Sequence, residues 1–167
     1  MTLEATPGAV PQAGNFLVLW VPEGGLADPA KPTVAELTAP TVKKVTYSHK
    51  KGGYTPSKET QRLNDERLTK ATVRTTRGQT TYGLESTIVF GDEEDVAASV
   101  LVEGAAGYLV ERWAVPNATE IAAAQKVDVK EVTDIETFKM PPTGDGDFTK
   151  RVRPFIGEVY EDVAVVA

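Results

Sequence analysis

The chain contains no cysteine. That absence excludes a disulfide framework, a thiolate metal site and a cysteine nucleophile. Histidine is nearly as scarce, with His49 alone, so a catalytic triad or a histidine-based metal site has no support. Aromatic residues make up only 7% of the chain, and the core is therefore expected to be built from Val, Leu, Ile and Ala. No apolar run approaches the roughly 18 residues needed to cross a bilayer. Met1 to Val10 lacks the basic-then-apolar layout of a signal peptide. Synthesis in a cytosol without membrane insertion is the expectation.

What is present belongs to a folded domain. The 167 residues are 41% apolar and 25% charged, enough for one domain with a real core. The net charge of -6 is unevenly spread. Lys43 to Arg77 holds ten basic and three acidic residues, a net +7, against eight basic and 21 acidic elsewhere, a net -13. A basic segment of this kind suits either nucleic acid or an acidic protein surface, including that of another copy of the chain.

The clearest local pattern runs from Thr80 to Trp113. Tyr82, Leu84, Ser86, Ile88 and Phe90 share one parity; Thr81, Gly83, Glu85, Thr87 and Val89 share the other. That alternation predicts a strand with one dry and one wet face. Gly91 breaks it. Asp92 then reads as an N-cap, with acids at Glu93, Glu94 and Asp95 complementing the start of a helix. Val96, Ala97, Val100 and Leu101 give the helix a narrow apolar stripe, and Gly104 ends it. Gly107 to Val115 returns to strand.

The remaining segments follow in order. Met1 to Asn15, rich in Pro, Gly, Ala and Thr, reads as an extended arm. Phe16 to Val21 reads as a buried first strand. Thr33, followed three residues later by Glu36, gives a capping box over one helical turn. Val42 to Ser48 reads as a strand, His49 to Lys70 as a long basic loop with no core-forming pattern, and Ala71 to Thr76 as a strand. Glu120 to Gln125 has no assigned state. Val127 to Glu136 and Phe148 to Tyr160 read as strands, with Pro154 marking an edge or a bulge in the second. Asp162 to Ala167 reads as a short tail. About seven strands and one helix make the class mainly β, a sandwich or open barrel over residues 16–161 with one flanking helix.

Sites for chemistry are lacking. Asp145 and Asp147 flank Gly146 without the further ligands of a calcium loop. Gly24 and Gly52 each open a Gly-Gly pair that matches no phosphate-binding loop. No cofactor and no enzymatic activity are expected. Trp20 and Trp113, inside apolar strands, read as core or interface anchors.

Several stretches together resemble a known family. Pro32 to Leu37 (P-T-V-A-E-L), Gln79 to Phe90 (Q-T-T-Y-G-L-E-S-T-I-V-F), Gly104 to Arg112 (G-A-A-G-Y-L-V-E-R), Lys126 to Val132 (K-V-D-V-K-E-V) and Phe148 to Phe155 recur in the order found in phage major tail proteins. These are the tail tube subunits of long-tailed phages and related prophages of actinobacteria. The resemblance implies a β-sandwich whose copies close into hexameric rings. The rings stack into a conduit for genome delivery, in a virion tail assembled in the host cytoplasm. It also implies partners: tail terminator, tape measure and distal tail proteins, with DNA passing through the lumen without specific binding. On that basis the basic loop supplies inter-subunit and ring-stacking candidates, Lys50, Lys51, Tyr54, Lys58, Arg62 and Arg67. The wet parity supplies Glu85 and Thr87 as lumen-lining candidates. Alternatives are the inner tube of a contractile injection particle, a tail terminator or head-tail joining protein of the same fold, and a nucleic-acid-binding module using the basic loop. Tyr54 is that loop's only aromatic residue, which argues against single-strand binding.

Overall fold

The computed structural model describes residues 5–167; the first four residues of the expected arm lie outside them. Residues 5–15 contain neither helix nor strand. The elements that follow are β1 (Phe16–Pro22), α1 (Val34–Leu37), β2 (Lys43–Lys44), β3 (His49–Asp65), β4 (Arg74–Val89), α2 (Val96–Val100), β5 (Gly107–Trp113), β6 (Lys126–Lys139) and β7 (Thr149–Ala164). All seven strands join one antiparallel sheet in the order β2-β1-β5-β6-β7-β4-β3. The mainly β class matches the sequence reading; the count of seven also agrees, although Ala71 to Thr76 is no separate strand, since β4 runs unbroken from Arg74, and β3 lies in the expected loop.

This sheet is rolled, and contacts between distant strands show it. β1 and β3 lie five strand spacings apart, about 24 Å if the sheet were flat. Yet the rings of Phe16 in β1 and Tyr54 in β3 are 5.6 Å apart. The roll is built into β6 and β7, whose pairing shifts register between Val127 and Val129, between Lys130 and Val132, and between Val132 and Asp134. Such bulges bend a ribbon. Asp162, at a φ of 55°, sits in the gap between the Val127–Val163 and Val129–Tyr160 pairs.

Each side of the rolled sheet has its own core. One cluster joins Val18, Trp20, Leu84, Ile88, Leu109 and Val152 with Ala97 and Leu101 from the α2 region. The other lies behind β1 and β5, where Leu17, Leu19, Val21 and Val110 meet Leu26, Leu37 and Val165. β1 is covered on both faces, as its unbroken apolar run requires. The dry parity of β4 is confirmed: Leu84, Ser86 and Ile88 are all buried.

The capping box at α1 is present as read. Thr33 Oγ1 accepts from the Glu36 backbone N–H, and Glu36 Oε2 accepts from that of Thr33. Glu36 Oε1 also accepts from Ala27 N–H at 2.9 Å. These backbone donors hold the Glu36 carboxyl below the usual range. The arrangement folds the Pro-rich loop over the second core.

Other elements depart from the sequence reading. The basic loop His49 to Lys70 is mostly strand, because β3 pairs with β4 along a hairpin from His49↔Ile88 to Asp65↔Arg74. Its distal part is exposed on both faces, so no apolar alternation marked it. The predicted strand at Val42 to Ser48 is two residues of β2, followed by a 3-10 turn over Thr46–Ser48. The helix expected from Asp92 shrinks to Val96–Val100. Asp95 is its N-cap but makes no capping bond; its carboxylate instead accepts the Asp92 N–H at 2.8 Å. The tail expected from Asp162 is part of β7, and beyond it Val165 is buried while Val166 N–H donates to the Pro32 carbonyl. Pro154 lies in an interior strand, opposite Ile135 of β6. No β4–β7 pair is formed between Gly83↔Phe155 and Ser86↔Val152, where its missing N–H falls.

Candidate assembly surfaces

The first surface is the β3–β4 hairpin. β4 pairs with β7 only from Gly83 to Val89. From Tyr82 back to Arg74 it has no partner but β3 among the described residues. The hairpin therefore leaves the sheet at Gly83 and runs outward as a two-stranded ribbon. Its turn carries Leu68, which is 95% exposed, and Leu63 and Val73 beside it are also exposed.

A buried polar knot holds the root of the hairpin. Tyr54 Oη and Lys130 Nζ both donate to Glu111 Oε1. Glu111 is 1% exposed and Lys130 is also buried. Tyr54 packs edge-on against Phe16 and His49, and burial together with the Glu111 charge pushes its phenol well above the usual pKa. Tyr54, proposed from sequence as an inter-subunit contact, is thus engaged inside its own chain. An amphipathic ring whose hydroxyl meets a buried carboxylate is better satisfied there than in water. His49 is half-buried, its Nδ1 2.8 Å from the Val45 carbonyl; burial lowers its pKa against the pull of that carbonyl.

The basic candidates divide into two groups. Lys50 pairs with Asp147 at 2.5 Å, lowering the Asp147 pKa. Lys58 pairs with Glu161 at 2.9 Å and lies over the Tyr82 ring. Arg67 forks onto Asp65 within the turn. These three are held by acids of their own chain. Lys51 and Arg62 form no ion pair among the described residues, and Arg62 stands directly across from Arg77.

The second surface is the wet face of β4, β6 and β7. Glu85 is 45% exposed and lies between two arginines of β7. Arg153 Nε donates to its Oε2 at 3.2 Å. Arg151 Nε is 3.2 Å from Oε1, an ion contact at an angle too poor for a hydrogen bond. Both guanidiniums lie 5.4 Å from the Phe138 ring centre. Cross-strand register puts Glu136 opposite Arg153 and Asp134 opposite Phe155 on the same face. With Glu85, three acids thus meet two arginines, and Thr87 lies opposite Arg151. The sequence reading placed Glu85 and Thr87 on this face but missed the arginines; parity along Phe148 to Tyr160 carried the signal.

Two buried charges were also missed. Glu111 and Arg112 sit in consecutive positions of an apolar strand, one facing each core. Arg112 donates to the Pro116 carbonyl and Gln125 Oε1 at 3.0 and 3.1 Å, tying down the loop between β5 and β6. Burial lowers its pKa. Among the described residues there is no cluster of His, Cys, Asp and Glu able to hold a metal, and no helix is long and apolar enough to cross a membrane.

The described residues form a rolled antiparallel sheet with a projecting hairpin. The chain belongs to the phage tail tube protein family, whose model matches residues 4–167. It is therefore a structural protein of the phage tail, one that assembles with other tail proteins. A similar solved structure is a chain of the anti-feeding prophage baseplate, determined by cryo-EM and 6-fold symmetrised. The likeness has a TM-score of 0.50 at 8% identity and covers 93% of this chain and 95% of that one. It shows a shared fold. No curated protein matches the sequence.

Proposed function

We propose that this chain is the tube subunit of a long phage tail, of the kind carried by actinobacterial phages. Six copies close a ring, rings stack, and the genome passes through the bore into the host. The observation that carries this reading is the β3–β4 hairpin. It leaves its own sheet at Gly83 and offers an exposed apolar, basic turn with no strand partner outside the hairpin among the described residues. A lone monomer gains nothing from such a projection; a repeating assembly does. The 6-fold symmetrised baseplate that shares the fold supports closure at six copies. Tail terminator, tape measure and distal tail proteins are the further partners, and assembly takes place in the host cytoplasm.

The wet face around Glu85 and Thr87 is assigned to the lumen. Its acids offset its arginines, so a duplex sliding past meets no net basic track, the feature that drives non-specific binding. Negative-stain electron microscopy of the concentrated protein tests the function: rings and long tubes are expected. Particles that remain monomeric at every concentration and salt would refute it. Single rings that never stack would favour a second reading, a terminal or baseplate-proximal ring, to which the likeness with a baseplate chain points.

A further inference from the structure

We propose that the hairpin turn docks, Leu68 first, into a groove at the opposite pole of a second copy of this chain. The inference rests on the tube-subunit reading and names the receiving site for its stacking contact.

The groove is open to solvent and has a volume of about 600 Å³, ample for an aliphatic side chain. Leu17, Tyr47, Val89 and Val96 form its apolar lining, and Glu94, Asp95 and Lys44 also line it. Tyr47 is 79% exposed, a large apolar surface for a monomer to leave in water. Its hydroxyl accepts from Asn117 Nδ2 at 2.9 Å, so the wall it forms is held in position.

The turn is the chemical counterpart of this groove. Its sequence is Glu66-Arg67-Leu68-Thr69-Lys70: an exposed aliphatic side chain with Glu66 two residues before it and Lys70 two after it, the intervening Arg67 being held by Asp65. The groove presents a base, an apolar floor and an acid pair. Glu66 finds a base in Lys44 and Lys70 finds acids in Glu94 and Asp95, with Leu68 against the apolar lining, so the charges of turn and groove are complementary. Further back on the hairpin, Arg62 and Arg77 stand opposite each other with no acid at ion-pair distance among the described residues. Like charges across a strand pair repel, and the acidic run Asp92 to Asp95 beside the groove relieves that repulsion when a second copy arrives.

Geometry excludes the same chain as its own partner. β4 begins at Arg74 beside the turn and ends at Val89 in the groove. Its 16 residues span about 50 Å at about 3.4 Å each. A donor at one pole and an acceptor at the other make a heterologous contact, which adds copies head to tail without a built-in end. That is the contact a stacked tube needs along its axis.

The absence of native cysteine makes the test direct. Chains carrying Leu68→Cys and Val96→Cys are purified separately, mixed and oxidised. The expected result is about tenfold more covalent heterodimer than from Leu68→Cys mixed with Thr143→Cys, a control position in the exposed loop 141–147. A chain carrying both groove and turn cysteines should give a ladder of multimers. In the same cysteine pair, Lys70→Glu or Glu94→Lys alone should cut the yield about tenfold, and the two together should restore it. Yield equal to the control, or no restoration by the swap, overturns the proposal. Tubes seen by microscopy without cross-links would sink the groove and leave the tube reading standing. A cross-linked ladder without tubes would do the reverse, and neither product would sink both.

Discussion

Replacing Glu111 by Gln puts the buried knot to a quantitative test. Lys130 would be nearly as buried as before and lose its counter-ion. Breaking a buried pair from one side costs about 3–5 kcal/mol. For a chain of this size each kcal/mol lowers Tm by about 2–4 °C, so the expected drop is about 6–20 °C. Lys130→Met should cost a similar amount, because it leaves the carboxylate with only the Tyr54 hydroxyl. The informative variant removes everything at once. Glu111→Leu with Lys130→Met takes away both charges and strands the Tyr54 hydroxyl, at about 1–3 kcal/mol; adding Tyr54→Phe removes that cost too. The triple variant should therefore unfold within about 2 kcal/mol of the parent. Urea titration followed by the fluorescence of buried Trp20 and half-exposed Trp113 measures each difference. The reasoning fails if Glu111→Gln costs under about 1 kcal/mol, or if the triple variant loses as much as the single substitutions summed. The knot also has a functional readout. Tyr54 ties the hairpin root to β5 and β6, so the triple variant should fold well yet assemble poorly through a less firmly aimed hairpin.

His49 is held below its unfolded pKa by burial; the unfolded state then binds the proton more readily. Its contribution to stability is complete above the unfolded pKa of about 6.5 and is lost as pH falls through the lower folded value. His49→Gln should flatten that part of a stability profile measured from pH 7 to 5. A Cβ at Gly107 would lie 2.4 Å from the Val21 carbonyl and 2.9 Å from the Trp20 ring. Gly107→Ala should cost about 1–3 kcal/mol by forcing β1 and β5 apart, read as a lower urea midpoint. Glu85→Gln frees Arg151 and Arg153 while leaving the fold intact. It should give the assembled tube a measurable, salt-sensitive affinity for duplex DNA that the parent lacks; an unchanged gel shift would remove this face from the lumen.

The core strands were legible because burial writes itself into parity. β1 is covered on both faces and reads as an unbroken apolar run; β4 from Gly83 onward is covered on one and alternates. The capping box at Thr33 and Glu36 was legible because it needs only two residues at fixed spacing. The distal hairpin was not, since a ribbon wet on both faces places no demand on side-chain parity. Its order comes from backbone pairing, which any non-proline residue supplies. The internal bond of Tyr54 was not legible for a related reason. Its basic neighbours suggested surface, whereas its partner Glu111 is 57 residues away, a contact that only the roll of the sheet creates. The arginines of the wet face were visible as alternation in β7, but their pairing with Glu85 required knowing that β4 and β7 are neighbours.

The point where the hairpin leaves the sheet also exposes two strand edges. Below Gly83, β4 shows an unpaired edge from Arg74 to Tyr82, and β7 shows another beyond Phe155. Long bare edges invite indiscriminate strand pairing. Here they carry opposite charge: Arg74 and Arg77 on one, Glu158, Glu161 and Asp162 on the other. Lys58 reaches from the hairpin to Glu161 across the cleft between them, and the bulge at Asp162 breaks the regular ladder that an incoming strand would need. Two edges of one kind therefore cannot pair without juxtaposing like charges, while unlike edges from different copies can. Were subunits to meet along these edges, the charge pattern would favour unlike edges over like ones. If the selection is electrostatic, neutralising Glu158, Glu161 and Asp162 to their amides should turn ordered tubes into amorphous aggregate at the same protein concentration, and raising salt on the parent should do so only in part. Ordered tubes from the neutralised variant would mean that edge charge has no such role.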